Sequence, residues 1–166
     1  MIHVYIPATL AVLQQLVADG SFSPLSGTAF AVTPKLRESY AEGDDDELAE
    51  VALREAALAS LRLLAADPGG ALPPRRAVVA AEVEDAKYRP DLDDAVVRLA
   101  APVAMDQVVA AYVDNVAAEP AVAAAIEAID AADLGDEDAD LIVGDAADHD
   151  LAWYATQELP FLLDLL

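Results

Sequence analysis

The chain has 166 residues, enough for one core without covalent staples, and it contains no cysteine. Disulfides, thiolate zinc sites, iron–sulfur clusters and cysteine nucleophiles are thereby excluded. The net charge is -22, from 31 acids against 9 bases, and every base lies in residues 1–98, so residues 99–166 hold acids with no Lys or Arg.

Taken in chain order, "IHVYIP" alternates Ile2, Val4 and Ile6 with polar or aromatic residues, the period of a strand with one inward face, and Pro7 is expected to end it. Leu10, Leu13, Leu16 and Val17 fall at helical spacing, with Gly20 as the stop. Residues 1–18 lack charge, yet no basic n-region precedes them, and Pro7 and Gln14–Gln15 fit a membrane span poorly. The expectation is a strand and a helix of a cytoplasmic protein. "GSFSPLSG" reads as a loop and "TAFAV" as a second strand with Phe30 and Val32 on one side. Thr33 then caps a helix that opens with Pro34, where the missing N–H is not needed.

Residues 44–66 form the longest predicted helix: Asp44 to Glu47 complement the helix dipole, and Leu48, Val51, Leu58, Leu61 and Leu64 make an apolar face. "DPGGALPP" at 67–74 breaks it as a loop within one domain, 1–166. Residues 75–83 and 95–102 read as two strands of a hairpin with a long loop, and 108–114 as another strand. A helix over "EPAVAAAIEAIDAAD", with Pro120 near its start and Val122, Ile126 and Ile129 on one stripe, a strand at 151–156 and a short terminal helix complete the chain. The order suggests α+β: helices packed on one face of a mostly antiparallel sheet, a ferredoxin-like variant being one such form.

Among motifs, "DEDADLIVGD" places Asp136, Asp138 and Asp140 at the first three ligand positions of a calcium loop. Position 6, which needs glycine for the turn, is Leu141, and position 12, which needs a bidentate glutamate, is Ala147. A solvated helix is the better reading. His149 lies between Asp148 and Asp150, and the only other histidine is His3; were the first and last strands neighbours, His3, Tyr5 and Tyr154 would share a sheet face. Glycine-rich nucleotide loops and a nucleophile elbow are absent. Trp153, the sole tryptophan, and the leucines of "ELPFLLDLL" are expected to close the core, with an exposed binding hot spot as the competing reading.

A surface so poor in cations repels phosphate backbones and anionic membranes, so direct nucleic-acid binding and membrane association are not expected. No catalytic, cofactor or metal residue is assigned and no cofactor is called for. The function most consistent with the charge is a non-catalytic binding or regulatory module that contacts a basic protein, as a monomer or small homo-oligomer. The alternative is a small metal-assisted hydrolase using Asp148, His149 and nearby carboxylates. The fragments "VYIPATL", "AFAVTPKLRESYAEGD", "ASLRLLAADP" and "WYATQEL" together resemble an uncharacterised family of small alanine-rich actinobacterial proteins. That resemblance implies a source and a cytoplasmic setting, with no activity and no functional residues attached.

Overall fold

The computed structural model describes residues 1–40, 42–67 and 70–166. Its centre is strand β1 (Ile2–Ala8), which pairs along its whole length with β4 (Ala77–Val83), from Ile2 opposite Val83 to Ala8 opposite Ala77. Pro7 does not end β1. The other neighbour, β3 (Thr28–Phe30), is paired with β1 only at Tyr5–Phe30, so beyond Tyr5 the strand has a partner on one side and tolerates a residue with no N–H.

Around this pair the sheet grows to seven strands, all antiparallel to their neighbours. Outward from β3 lie β6 (Val96–Leu99) and β5 (Ala86–Tyr88); outward from β4 lie β8 (Val108–Val113) and the edge strand β9 (Ala152–Ala155). Short strands β2 (Ser21–Phe22) and β7 (Val103–Ala104) pair separately. The hairpin expected between 75–83 and 95–102 does not form. Its long loop contains β5, which takes β6 as its own partner, while β4 is held between β1 and β8. Since β3 and β4 both run antiparallel to β1, they form one split βαβ unit around it, which is the ferredoxin-like element present in this α+β fold.

Helices cover both faces of the sheet. On one side, α1 (Leu10–Asp19) and α6 (Leu159–Asp164) bury Leu13, Leu16, Leu159 and Leu162 against Val4, Ile6, Val79 and Val113. On the other, α2 (Pro34–Ser39) and α3 (Asp45–Ala66) bury Leu36, Leu48, Ala52 and Ala56 against Tyr5, Phe30 and Val78. The alternation in β1 had suggested one wet face, but Val4, Tyr5 and Ile6 are all buried, and a strand apolar on both sides needs cover on both.

The helix ends follow their sequence signals. Thr33 Oγ1 accepts from Leu36 N at 3.1 Å, Asp44 Oδ1 from Glu47 N at 2.9 Å, and Gly20 ends α1 in the left-handed region. The loop expected at 67–74 lies partly outside the described residues.

The C-terminal half of α3 extends a third layer. Leu61, with Leu58 and Leu64, packs against Val122, Ala125 and Ile129 of α4 (Glu119–Asp133) and Val143 of α5 (Glu137–Ala147). This α3–α4–α5 layer positions the candidate site.

Candidate functional site

The acid-rich run that imitates half a calcium loop is the beginning of α5. Asp136 is its N-cap, its Oδ1 accepting from Ala139 N at 3.0 Å, and Glu137, Asp138 and Asp140 occupy the first turn, where negative charge complements the helix dipole. The Asp136 carboxylate is committed to the cap, and Asp138, two residues from Asp140, faces another direction, so carboxylates that would converge in a loop do not converge here. Among the described residues no three His, Asp or Glu side chains come together closely enough to hold a metal ion.

Of the fifteen acids in residues 99–166, three find cations on the first half of the chain. Asp133 is held by two hydrogen bonds from Arg62, at 2.9 and 3.1 Å, and Glu119 by Arg75 at 2.9 Å. Asp114 is fully buried and takes the Arg76 main-chain N–H at 2.8 Å, Nε at 2.8 Å and Nη2 at 2.7 Å. The Arg62 guanidinium holds the Asp133 carboxyl below the usual aspartate range. The remaining twelve carry no ion pair among the described residues, and Glu137, Asp138, Asp140, Asp145, Asp148 and Asp150 are all exposed along α5 and the chain leaving it.

Between α3 and α5 runs a groove of about 360 Å³. Its bed is apolar, formed by Leu53, Leu58, Leu61, Val143, Ala146 and Leu151; Glu50, Glu55, Asp140 and Asp150 stand along it with Arg54. Arg76, which is 4% exposed, also lines it. Besides the pair with Asp114, Arg76 Nη2 donates to the His149 carbonyl at 2.8 Å, and the Asp114 N–H donates to the Arg76 carbonyl at 3.1 Å. One buried ion pair thus ties together the start of β4, the end of β8 and the chain entering β9. Such a pair is costly to break, at about 3–5 kcal/mol, because the surviving charge is left unpaired.

Glu55 has no ion pair or hydrogen-bond partner among the described residues, since the flanking bases of α3 are engaged elsewhere: Arg54 lies 3.6 Å from Glu50, and Arg62 bonds Asp133. Burial raises the pKa of Glu55, and the charge of Asp93 adds to the rise against a lowering by Arg62.

The residues singled out in the sequence are distributed as follows. His149 is half-buried and lines the groove, whereas Asp148 is exposed and lies outside the lining. His3, Tyr5 and Tyr154 do not come together: β4 and β8 separate the first and last strands, and Tyr154 packs on the opposite side of the sheet from Tyr5. His3 instead sits edge-on to Tyr5, with ring centroids 5.0 Å apart, and 3.9 Å from Glu82. Trp153 is 58% exposed, contrary to the expectation that it faces the core. It shares a side of β9 with Leu151, but Leu151 lies where α3 and α5 close over the sheet, and Trp153 lies farther along an edge strand. The terminal leucines divide: Leu159 and Leu162 are buried, while Leu165 is exposed.

Arg76, Asp114 and Glu55 attracted no attention in the sequence. Arg76 and Asp114 are 38 residues apart, and an isolated glutamate in a long helix carries no signal of burial. No helix of the described residues is long and apolar enough to cross a membrane. Searches of curated proteins and of solved structures found no match. A family model matches residues 2–163, nearly the whole chain, and the protein belongs to that family, a family of unknown function (DUF6912).

Proposed function

We propose that this protein is a non-catalytic binding module of the cytoplasm whose α4–α5 side receives a basic protein. The observation that carries the reading is the set of acids on that side with no internal cation: residues 99–166 contain no Lys or Arg, and of their twelve acids without an ion pair among the described residues, nine, from Glu127 to Asp150, lie in α4, α5 and the chain flanking α5. Such a surface repels nucleic-acid backbones and attracts polycations, raising the encounter rate with a basic partner before any contact forms. Leu141 and Ile142, exposed between Asp140 and Asp145, offer an apolar contact within the charged surround. The absence of cysteine, and of an apolar spanning helix among the described residues, agrees with a cytoplasmic setting.

Calorimetric titration with polyarginine tests the proposal. Binding is expected at low ionic strength, weakening on the order of ten-fold or more as salt rises from about 50 to about 200 mM and the Debye length shortens. Reversing Asp138, Asp140 and Asp145 together to Lys should remove most of it. Equal binding by the reversed variant, or affinity indifferent to salt, would sink the proposal.

A further inference from the structure

The groove between α3 and α5 combines features that select one kind of occupant. At about 360 Å³ it is at the small end of ligand pockets and has room for one long side chain rather than for a helix. Its bed, from Leu58 and Leu61 to Val143 and Leu151, favours methylene groups. Glu55 stands on the wall as a partly desolvated carboxylate with no ion pair among the described residues, Arg62 being bonded to Asp133 and Arg54 set beside Glu50, and Asp140 and Asp150 add negative charge. An anionic head is therefore rejected and a cationic one is favoured.

Arg76 does not reverse this, because its charge is neutralised by Asp114. Its Nε and Nη2 are engaged by Asp114 and the His149 carbonyl. Nη1 makes no hydrogen bond among the described residues, which leaves a donor on a buried, rigidly held fork that lines the groove. A donor with an apolar bed and an unpaired carboxylate matches a residue that brings an acceptor, a methylene stem and a cation, in that order.

We propose that the groove seats an arginine or lysine anchor of the basic partner, with the stem along Leu58, Leu61 and Val143, the cation against Glu55, and a main-chain carbonyl of the partner accepting from Arg76 Nη1. This rests on the reading of the protein as a receiver of basic proteins. Long basic side chains suit such a site because their stems bury apolar area while the head stays charged. Buried arginine is also a recurrent hot spot of interfaces.

Gly144 provides a clean way to block the groove. It lines the site on α5, and a Cβ added there would meet nothing within 4 Å. Gly144→Leu should therefore fill the groove while the melting temperature holds or rises, since glycine is a poor residue for a helix interior.

The test is an NMR titration with N-acetylarginine methylamide, its neutral isostere N-acetylcitrulline methylamide, and N-acetylglutamate methylamide. The arginine probe is expected to bind with a dissociation constant in the range of about 1–10 mM, shifting amides of α3 and α5 around Leu58 and Gly144. The citrulline probe should bind on the order of ten-fold more weakly, and the glutamate probe should leave these resonances unmoved. Gly144→Leu should abolish the arginine response, and Glu55→Gln should weaken it on the order of ten-fold. Equal affinity for arginine and citrulline probes, shifts confined to another surface, or an undiminished response in Gly144→Leu would overturn the proposal; so would no binding by about 50 mM probe, below any useful anchor strength. The two readings fail separately. Polyarginine binding that survives Gly144→Leu while the arginine probe also binds unchanged leaves the acidic face standing without the anchor. A wild-type protein that ignores polyarginine yet binds the arginine probe leaves the groove standing without the acidic face.

Discussion

Burial at Glu55 raises the carboxyl pKa above its ordinary value, with Asp93 of the β5–β6 loop acting in the same direction and Arg62 on α3 against it. As pH falls, the folded protein therefore takes up this proton before the unfolded chain does. Between the ordinary glutamate value, near 4.3, and the raised one, the folded state holds more protons, so the Glu55 contribution to stability declines as pH rises through that window. At neutral pH the ionised group disfavours the fold. Glu55→Gln removes the charge while keeping the shape, and it should melt at a higher temperature than wild type at pH 7. The gain should vanish near pH 3, where the wild-type carboxyl is protonated in both states. Paired thermal melts at the two pH values check this, and a gain of equal size at both would contradict the assignment. No signal in the sequence marked Glu55, because its setting depends on α5 and Asp93 approaching α3 from elsewhere in the chain. Trp153 misled in the opposite sense: an aromatic residue beside leucines reads as core, and only the position of its strand at the sheet edge exposes it.

Elements defined by local chemistry were legible, and those defined by pairing were not. The ends of α1, α2 and α3 follow from Gly20, from Thr33–Pro34 and from Asp44, because a cap is a contact between residues three or four apart. The β5–β6 hairpin was missed because β5 is three residues long and its sequence, Ala86–Tyr88, has little strand character without β6 beside it. The loop read at 20–27 likewise conceals β2 and a tight turn whose need for glycine arises from a distant strand. Gly27 has φ +68°, and a Cβ there would lie 2.4 Å from the Leu99 carbonyl oxygen of β6. Gly20 has a similar φ of +78° but open space around it. Both positions impose the backbone cost of placing alanine in the left-handed region, about 1 kcal/mol. Only Gly27→Ala also forces β3 and β6 apart. It should lower stability by about 1–3 kcal/mol more than Gly20→Ala does. Urea denaturation of the two variants measures the difference, and equal losses would mean that β6 yields without penalty.

At the scale of the whole molecule, the charge imbalance legible in the sequence governs behaviour that no single contact explains. The strand order could not be read in advance, since β1 recruits β4 from some seventy residues away and β9 joins only after two helices. Folding nevertheless confines a net charge of -22 to a small volume, and neutralisation is sparse: seven ion pairs are formed among the described residues, one of them at 3.9 Å through His3. At an ionic strength of about 0.01 M the Debye length is about 30 Å, long enough for acids across the protein to repel one another. At about 0.15 M it is about 8 Å, and the repulsion is confined to near neighbours such as the first turn of α5. The unfolded chain spreads the same charge over a larger volume and is relieved less by screening. The melting temperature should therefore rise between these two salt concentrations, and sodium and potassium chloride should be equally effective, because screening depends on ionic strength and not on the cation. The surface ion pairs Arg37–Asp45 and Arg89–Asp91 work against the trend, but they are exposed, contribute little and cannot offset the relief. A melting temperature that falls with salt would mean that these pairs, rather than the excess of acid, dominate the electrostatics of the fold. A rise specific to one cation would locate the effect at a bound ion instead of the charged surface as a whole.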